Sequence, residues 1–274
     1  MRNNKGFILM VFGIAGLLSC LSSPVKNVPK DRLHINNFTV DKLGFYYETD
    51  NLDRIRKFDK DNKLLYSYSN HSFGSIGTID VSNPHKILVF YFDQQILLLL
   101  DNTLSELSKI ELDPSSTYVA AGMSNDANIW LFDSDKRNLI KIDKNGNNID
   151  ESFPLNELNS ESISGHKIIE NDNYVMIPVD NKIIYLYNNQ GFFIRKIILD
   201  ECINPTIISD KIYYFDKKNN NYSAFDLKYN QKSVLYDFSV DKIKPAQVIF
   251  SNDQFYILEN NSVRIKPLRN EPGY

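Results

Sequence analysis

The chain has 274 residues, 42% hydrophobic, 24% charged and 12% aromatic, a balance that excludes a disordered or collagen-like polymer. Its 31 Lys and Arg against 34 Asp and Glu give a net charge of −3, which excludes a basic nucleic-acid binder. Tyr (16) and Phe (17) are abundant and suit a pleated, half-buried surface, so composition leans toward β structure.

Residues 1–19 come first in chain order. Arg2 and Lys5 precede an apolar run from Gly6 to Leu18 that is too short to span a bilayer comfortably and is laid out as a secretory signal. It ends in Leu17-Leu18-Ser19-Cys20, which resembles the cleavage box of bacterial lipoproteins. The resemblance implies cleavage before Cys20 and acyl chains on its thiol and new amine. Several such chains hold a protein stably to a lipid bilayer. The alternatives are an ordinary signal peptide and an N-terminal anchor with a chance cysteine. Leu21, where lipoproteins retained at the inner membrane often carry Asp, points by the same resemblance to the outer membrane.

Residues 20–31 read as the lipidated cysteine and an extended tether with Pro24 and Pro29. Losing Arg2 and Lys5 leaves 29 basic residues against 34 acidic, a charge of −5, so lipid and not electrostatics must hold the body to a membrane. Beside Cys20 the chain has only Cys202, so no intramolecular disulfide is available. With Ile203 next to it, Cys202 reads as a buried small hydrophobe.

Residues 32–268 repeat. Runs of four to eight Ile, Val, Leu, Tyr and Phe alternate with Asn/Asp/Lys-rich turns, the signature of an all-β fold. One strand recurs most clearly: FYYETD from Phe45, ILVFYFD from Ile87, IWLFDSD from Ile129, VMIPVD from Val175, IYYFDK from Ile212 and FYILEN from Phe255. A period near 40 marks propellers, and six units predict a six-bladed β-propeller. Inner strands are expected before the anchors, at 77–81, 117–122, 166–170, 205–209 and 246–250. Turns such as Asp59–Asn62, Asp143–Gly146 and Asn188–Gly191 supply the left-handed conformations that hairpins need. The sixth unit stops after three strands, and 269–274 is a short tail. The spare segment 32–38 is therefore expected to complete the last blade as its outer strand and close the ring.

In unit one, Asp50 to Asp59 followed by Lys63-Leu64-Leu65 resembles the NHL repeat: an aspartate, a polar turn, an Arg-Ile pair and a hydrophobic-Asp step. Units three and four carry degraded versions, with Leu139 or Ile183 in place of Arg54. The chain thus resembles NHL-like or TolB-like six-bladed propellers, a resemblance of architecture that leaves function open.

No catalytic constellation emerges. His34, His71, His85 and His166 are scattered over different units without metal-ligand spacing, and no GxSxG elbow is present. Asp143 to Asn147 begins like a calcium loop, but the glycine falls at loop position four and Pro154 replaces the closing glutamate, so neither a metal nor another cofactor is expected. Asp80, Glu170 and Asp210 lie near inner-strand ends and are the candidates for a channel-mouth site; the alternative is that they form turns and solvated rims, in which case neutralising them is nearly silent.

Two readings follow. The first is a non-catalytic, membrane-anchored scaffold whose propeller binds another protein of the bacterial envelope. The second is a small-molecule binder or hydrolase that uses the central channel.

Overall fold

The computed structural model describes residues 34–156 and 161–268. The segments read from the sequence as signal and tether, Cys20 between them, and the tail 269–274 lie outside the described residues. Among those described, no helix is long and apolar enough to cross a membrane.

Six antiparallel sheets make a six-bladed β-propeller. The inner strands are Ile35–Val40, Ile76–Asp80, Tyr118–Met123, Ile169–Glu170, Cys202–Ile208 and Gln247–Ser251. Each pairs with the recurrent strand that follows it: Tyr46–Asp50, Ile87–Tyr91, Ile129–Asp133, Tyr174–Pro178, Lys211–Asp216 and Gln254–Glu259. These second strands are the six units read from the sequence, and almost every residue in them is buried. Outer strands such as Asn148–Glu151 and Gln231–Asp237 are mostly exposed.

Local chemistry sets the hairpins. In the outer turns of blades one to four, the side chain of the first residue (Asp59, Asp101, Asp143 or Asn188) accepts amides two and four positions on. The fourth residue has positive φ: Asn62 at 61°, Leu104 at 63°, Gly146 at 87° and Gly191 at 81°. Asp143, the start of the failed calcium loop, is thereby accounted for as a turn former. Leu104 breaks the residue preference because its side chain is buried in the apolar cluster between blades one and two.

Packing between blades carries the stability. There is one apolar cluster at each of the six junctions between neighbouring blades. Trp130, on the second strand of blade three, is 1% exposed and sits in the cluster against blade four.

The ring does not close as the sequence suggested. Ile35–Val40 is not the outer strand of blade six; it is the innermost strand of blade one, with Val40 opposite Tyr46 and Ile35 opposite Asp50. The reason is local. Asp41 Oδ1 accepts the amides of Leu43 and Phe45, which closes a tight turn at Asp41–Gly44 and folds the strand back onto its sequence neighbour. Blade six accordingly has three strands among the described residues. Closure comes from face packing, with Ile35, Phe38 and Tyr46 buried against Tyr256, Leu258 and Val263. Polar stitches reinforce it: Asn261 Oδ1 accepts the Ile35 amide at 2.6 Å, and the Tyr256 hydroxyl donates to Gly44 O at 3.0 Å.

Candidate functional site

The inner strands surround a central channel of about 600 Å3. That volume lies within the range typical of small-ligand sites, roughly 300–1,000 Å3. Its wall includes Thr39 and Asp41 from blade one, Thr78 from blade two, Asn204 and Thr206 from blade five, and Ser251 from blade six. In front of blade three the wall is made by blade four, through Ser164, Gly165 and Lys167.

This last feature departs from the expected inner strand over 166–170. Only Ile169–Glu170 pairs within blade four. Residues 166–168 instead cross to the inner strand of blade three. There the Ile168 amide donates to Ala121 O at 2.9 Å and the Ala121 amide donates to His166 O at 3.2 Å. Ala121 and Lys167 form a parallel bridge.

Two glycines permit the crossing. A Cβ on Gly122 would lie 2.0 Å from Ile168 O, and one on Gly165 would lie 2.4 Å from Pro178 O. Neither backbone oxygen has room to retreat in a packed ring. His166 turns the corner at φ 47°, its Nδ1 2.7 Å from Val119 O and its ring centroid 4.5 Å from that of Phe92.

The crossing places Lys167 on the channel wall, half-buried, with no hydrogen bond or ion pair to any described residue. Burial pushes its ammonium below the ordinary lysine range, and the Asp80 carboxylate offsets this in part.

The three candidate carboxylates do not share one mouth. Asp80 is 5% exposed; its Oδ2 accepts the Met123 amide of blade three at 2.7 Å and its Oδ1 the Ser82 amide at 2.8 Å. Glu170 reaches from blade four to blade three, where Oε2 accepts the Asn125 amide at 2.8 Å. Asp210 accepts from the Tyr174 hydroxyl at 3.1 Å and lines a separate hollow between blades four and five, with Arg195 and Leu227. Each one ties a blade to its neighbour. Of the three, only Asp80 stands close enough to Lys167 to act on its charge.

The channel's own carboxylates are likewise engaged. Asp41 accepts from the Tyr47 hydroxyl, Asp50 pairs with Arg54, Asp53 accepts the Ile76 amide, and Asp180 accepts the amides of Lys182 and Ile183. Among the described residues no group of three His, Cys, Asp or Glu is placed to hold a metal ion. Cys202 is 2% exposed, and burial pushes its thiol far up, as expected of an inert core cysteine.

Sequence reasoning passed over Lys167. A signal was there: it is the one Lys or Arg in the segments expected to form inner strands, and it follows Gly165-His166.

No known protein family matches the chain, and no curated protein does. Solved structures do. The chain is similar to a catalytically inactive histidine-to-alanine virginiamycin B lyase from Staphylococcus aureus with quinupristin (TM-score 0.59, 13% identity, 89% of this chain and 88% of that one). It is also similar to a streptogramin B lyase (TM-score 0.59, 14% identity, 89% and 86%). A protein of unknown function from Bacteroides caccae aligns at TM-score 0.54 and 12% identity over 74% and 78%. At these identities the likeness is one of fold.

Proposed function

We propose that this protein is a lipid-anchored propeller of the bacterial envelope that works by binding, holding another envelope protein against its rim. One observation carries the reading: an exposed aromatic pair on the outer edge where blades three and four meet. Phe153 is 78% exposed and Phe192 52%, with ring centroids 6.4 Å apart and planes 29° from parallel. Ile194, in the outer strand that begins just after Phe192, is also exposed. Leaving two contacting phenylalanines in water is costly for a protein with no use for them, and aromatic anchors are enriched at the centres of interfaces.

The fate of the chemically capable side chains supports binding over catalysis. Asp80, Glu170 and Asp210 serve the joints between blades. His34 bonds to Asn261, His71 to Ser69 and His166 to Val119 O. The streptogramin lyases share the fold, and one of them is inactivated by losing a histidine; here no histidine is paired with a carboxylate by a described hydrogen bond.

The test is in-cell photo-crosslinking from position 153 or 192, with the captured protein identified by mass spectrometry. Phe153→Ser with Phe192→Ser should abolish capture by a crosslinker at position 194. Unchanged capture would refute the rim assignment. The anchor is tested apart, since Cys20→Ala should abolish incorporation of radiolabelled fatty acid. Label entering that variant would refute lipidation.

A further inference from the structure

We propose that the central channel binds a small hydroxylated carboxylate, a sugar acid with a single negative charge, and that Lys167 is its counter-ion. The inference stands on the channel alone and does not depend on the rim.

Lys167 is the starting point. A half-buried lysine on a channel wall without a protein acceptor gives up part of its hydration, which a ligand supplying an acceptor would restore. Asp80 does not supply one: it acts on the lysine's charge from a distance, with no hydrogen bond or ion pair between them, and its two oxygens are turned to the Ser82 and Met123 amides. The placement is also built. Blade four gives up most of its inner strand to bring residue 167 there, and Gly122 and Gly165 are the small residues without which the backbone could not cross. A surface lysine needs no such arrangement.

The rest of the wall narrows the ligand. Asp41, Asp50, Asp53 and Asp180 also line the channel and outnumber its two lysines, Lys42 and Lys167, so a polyanion would meet like charge on several sides, while a single carboxylate can seat on Lys167. Thr39, Thr78 and Thr206, from blades one, two and five, line the same space, and none of their hydroxyls bonds to a described residue. Each can both donate and accept, which suits the hydroxyls of a sugar ring. A channel of about 600 Å3 holds such a molecule with room for bridging water.

The experiment is isothermal titration of the full-length protein in detergent micelles with D-glucuronate, D-galacturonate and D-gluconate. D-glucose and inorganic phosphate serve as the neutral and multiply charged comparisons. At least one sugar acid should bind in the millimolar range or tighter, and glucose and phosphate should each be at least about ten-fold weaker. Lys167→Met should lose about ten-fold or more in affinity, whereas Lys167→Arg, which keeps the charge, should remain within about three-fold. Without ligand, Lys167→Met should melt at or above the wild-type temperature, since no unpaired charge is left to desolvate. The proposal is overturned if no sugar acid binds the wild type at 10 mM, on the order of ten times a typical weak Kd. It is equally overturned if Lys167→Met binds as the wild type does, or melts well below it, since the lysine would then serve the fold alone.

Discussion

Replacing Gly122 by alanine probes the crossing between blades three and four directly. The new methyl would sit 2.0 Å from Ile168 O and 2.8 Å from its carbonyl carbon, both backbone atoms that cannot swing aside as a side-chain tip would. Either the methyl is forced in, or residues 166–168 withdraw from blade three. Forcing it in costs about 1–3 kcal/mol in overpacking. Withdrawal breaks the Ile168–Ala121 and Ala121–His166 hydrogen bonds, at about 1–1.5 kcal/mol each when both partners stay hidden from water. The cheaper route sets the loss, about 1–3 kcal/mol. For a chain of this size that is a drop in Tm of roughly 2–12 °C. Circular dichroism melts of wild type and variant, run side by side in the same detergent, measure it. A change below about 1 kcal/mol would refute the claim that backbone contact at this position holds Lys167 in place.

Asp80→Asn should be far from silent: the turn bond to Ser82 can survive, but an amide cannot accept from Ser82 and Met123 at once, and a loss of about 1–3 kcal/mol is expected in urea unfolding. A stability equal to wild type would mean that Asp80 is not an inter-blade clasp. Asp126 predicts a pH effect. Burial alone would raise its carboxyl, but Lys141 at 2.6 Å and the Asn128 amide outweigh it and hold the pKa down from about 3.8 to about 2. A carboxyl depressed in the folded state contributes stability that is present above its unfolded pKa and is lost as pH falls through its folded one. Asp126 is nearly half exposed, so the contribution after solvent screening is only about 1 kcal/mol. The gap between wild type and Asp126→Asn should be full at pH 6 and shrink between about pH 4 and pH 2. A gap that does not change over that range would disprove the ion pair's part in it.

The sequence by itself determined the repeat. Six β-rich second strands, each a short apolar run bounded by polar turns, announce six blades, because the signal lies in residues close along the chain. The Asp and Asn turn formers were legible for the same reason: Asp143 bonds to amides two and four residues away, and Gly146 takes the backbone angle that the turn demands. Leu104 was not, because burial against blade one outweighed its reluctance to adopt positive φ. Counting strands misplaced 32–38, since an arithmetic that balances six blades does not weigh the turn at Asp41–Gly44, which ties that strand to its nearest neighbour in the chain. Only the tertiary structure decided which carboxylates join blades and that Lys167 reaches the channel wall. Asp80 finds Met123 across 43 residues and Lys167 meets Ala121 across a blade boundary, and contacts at that separation depend on how the blades pack rather than on any local pattern.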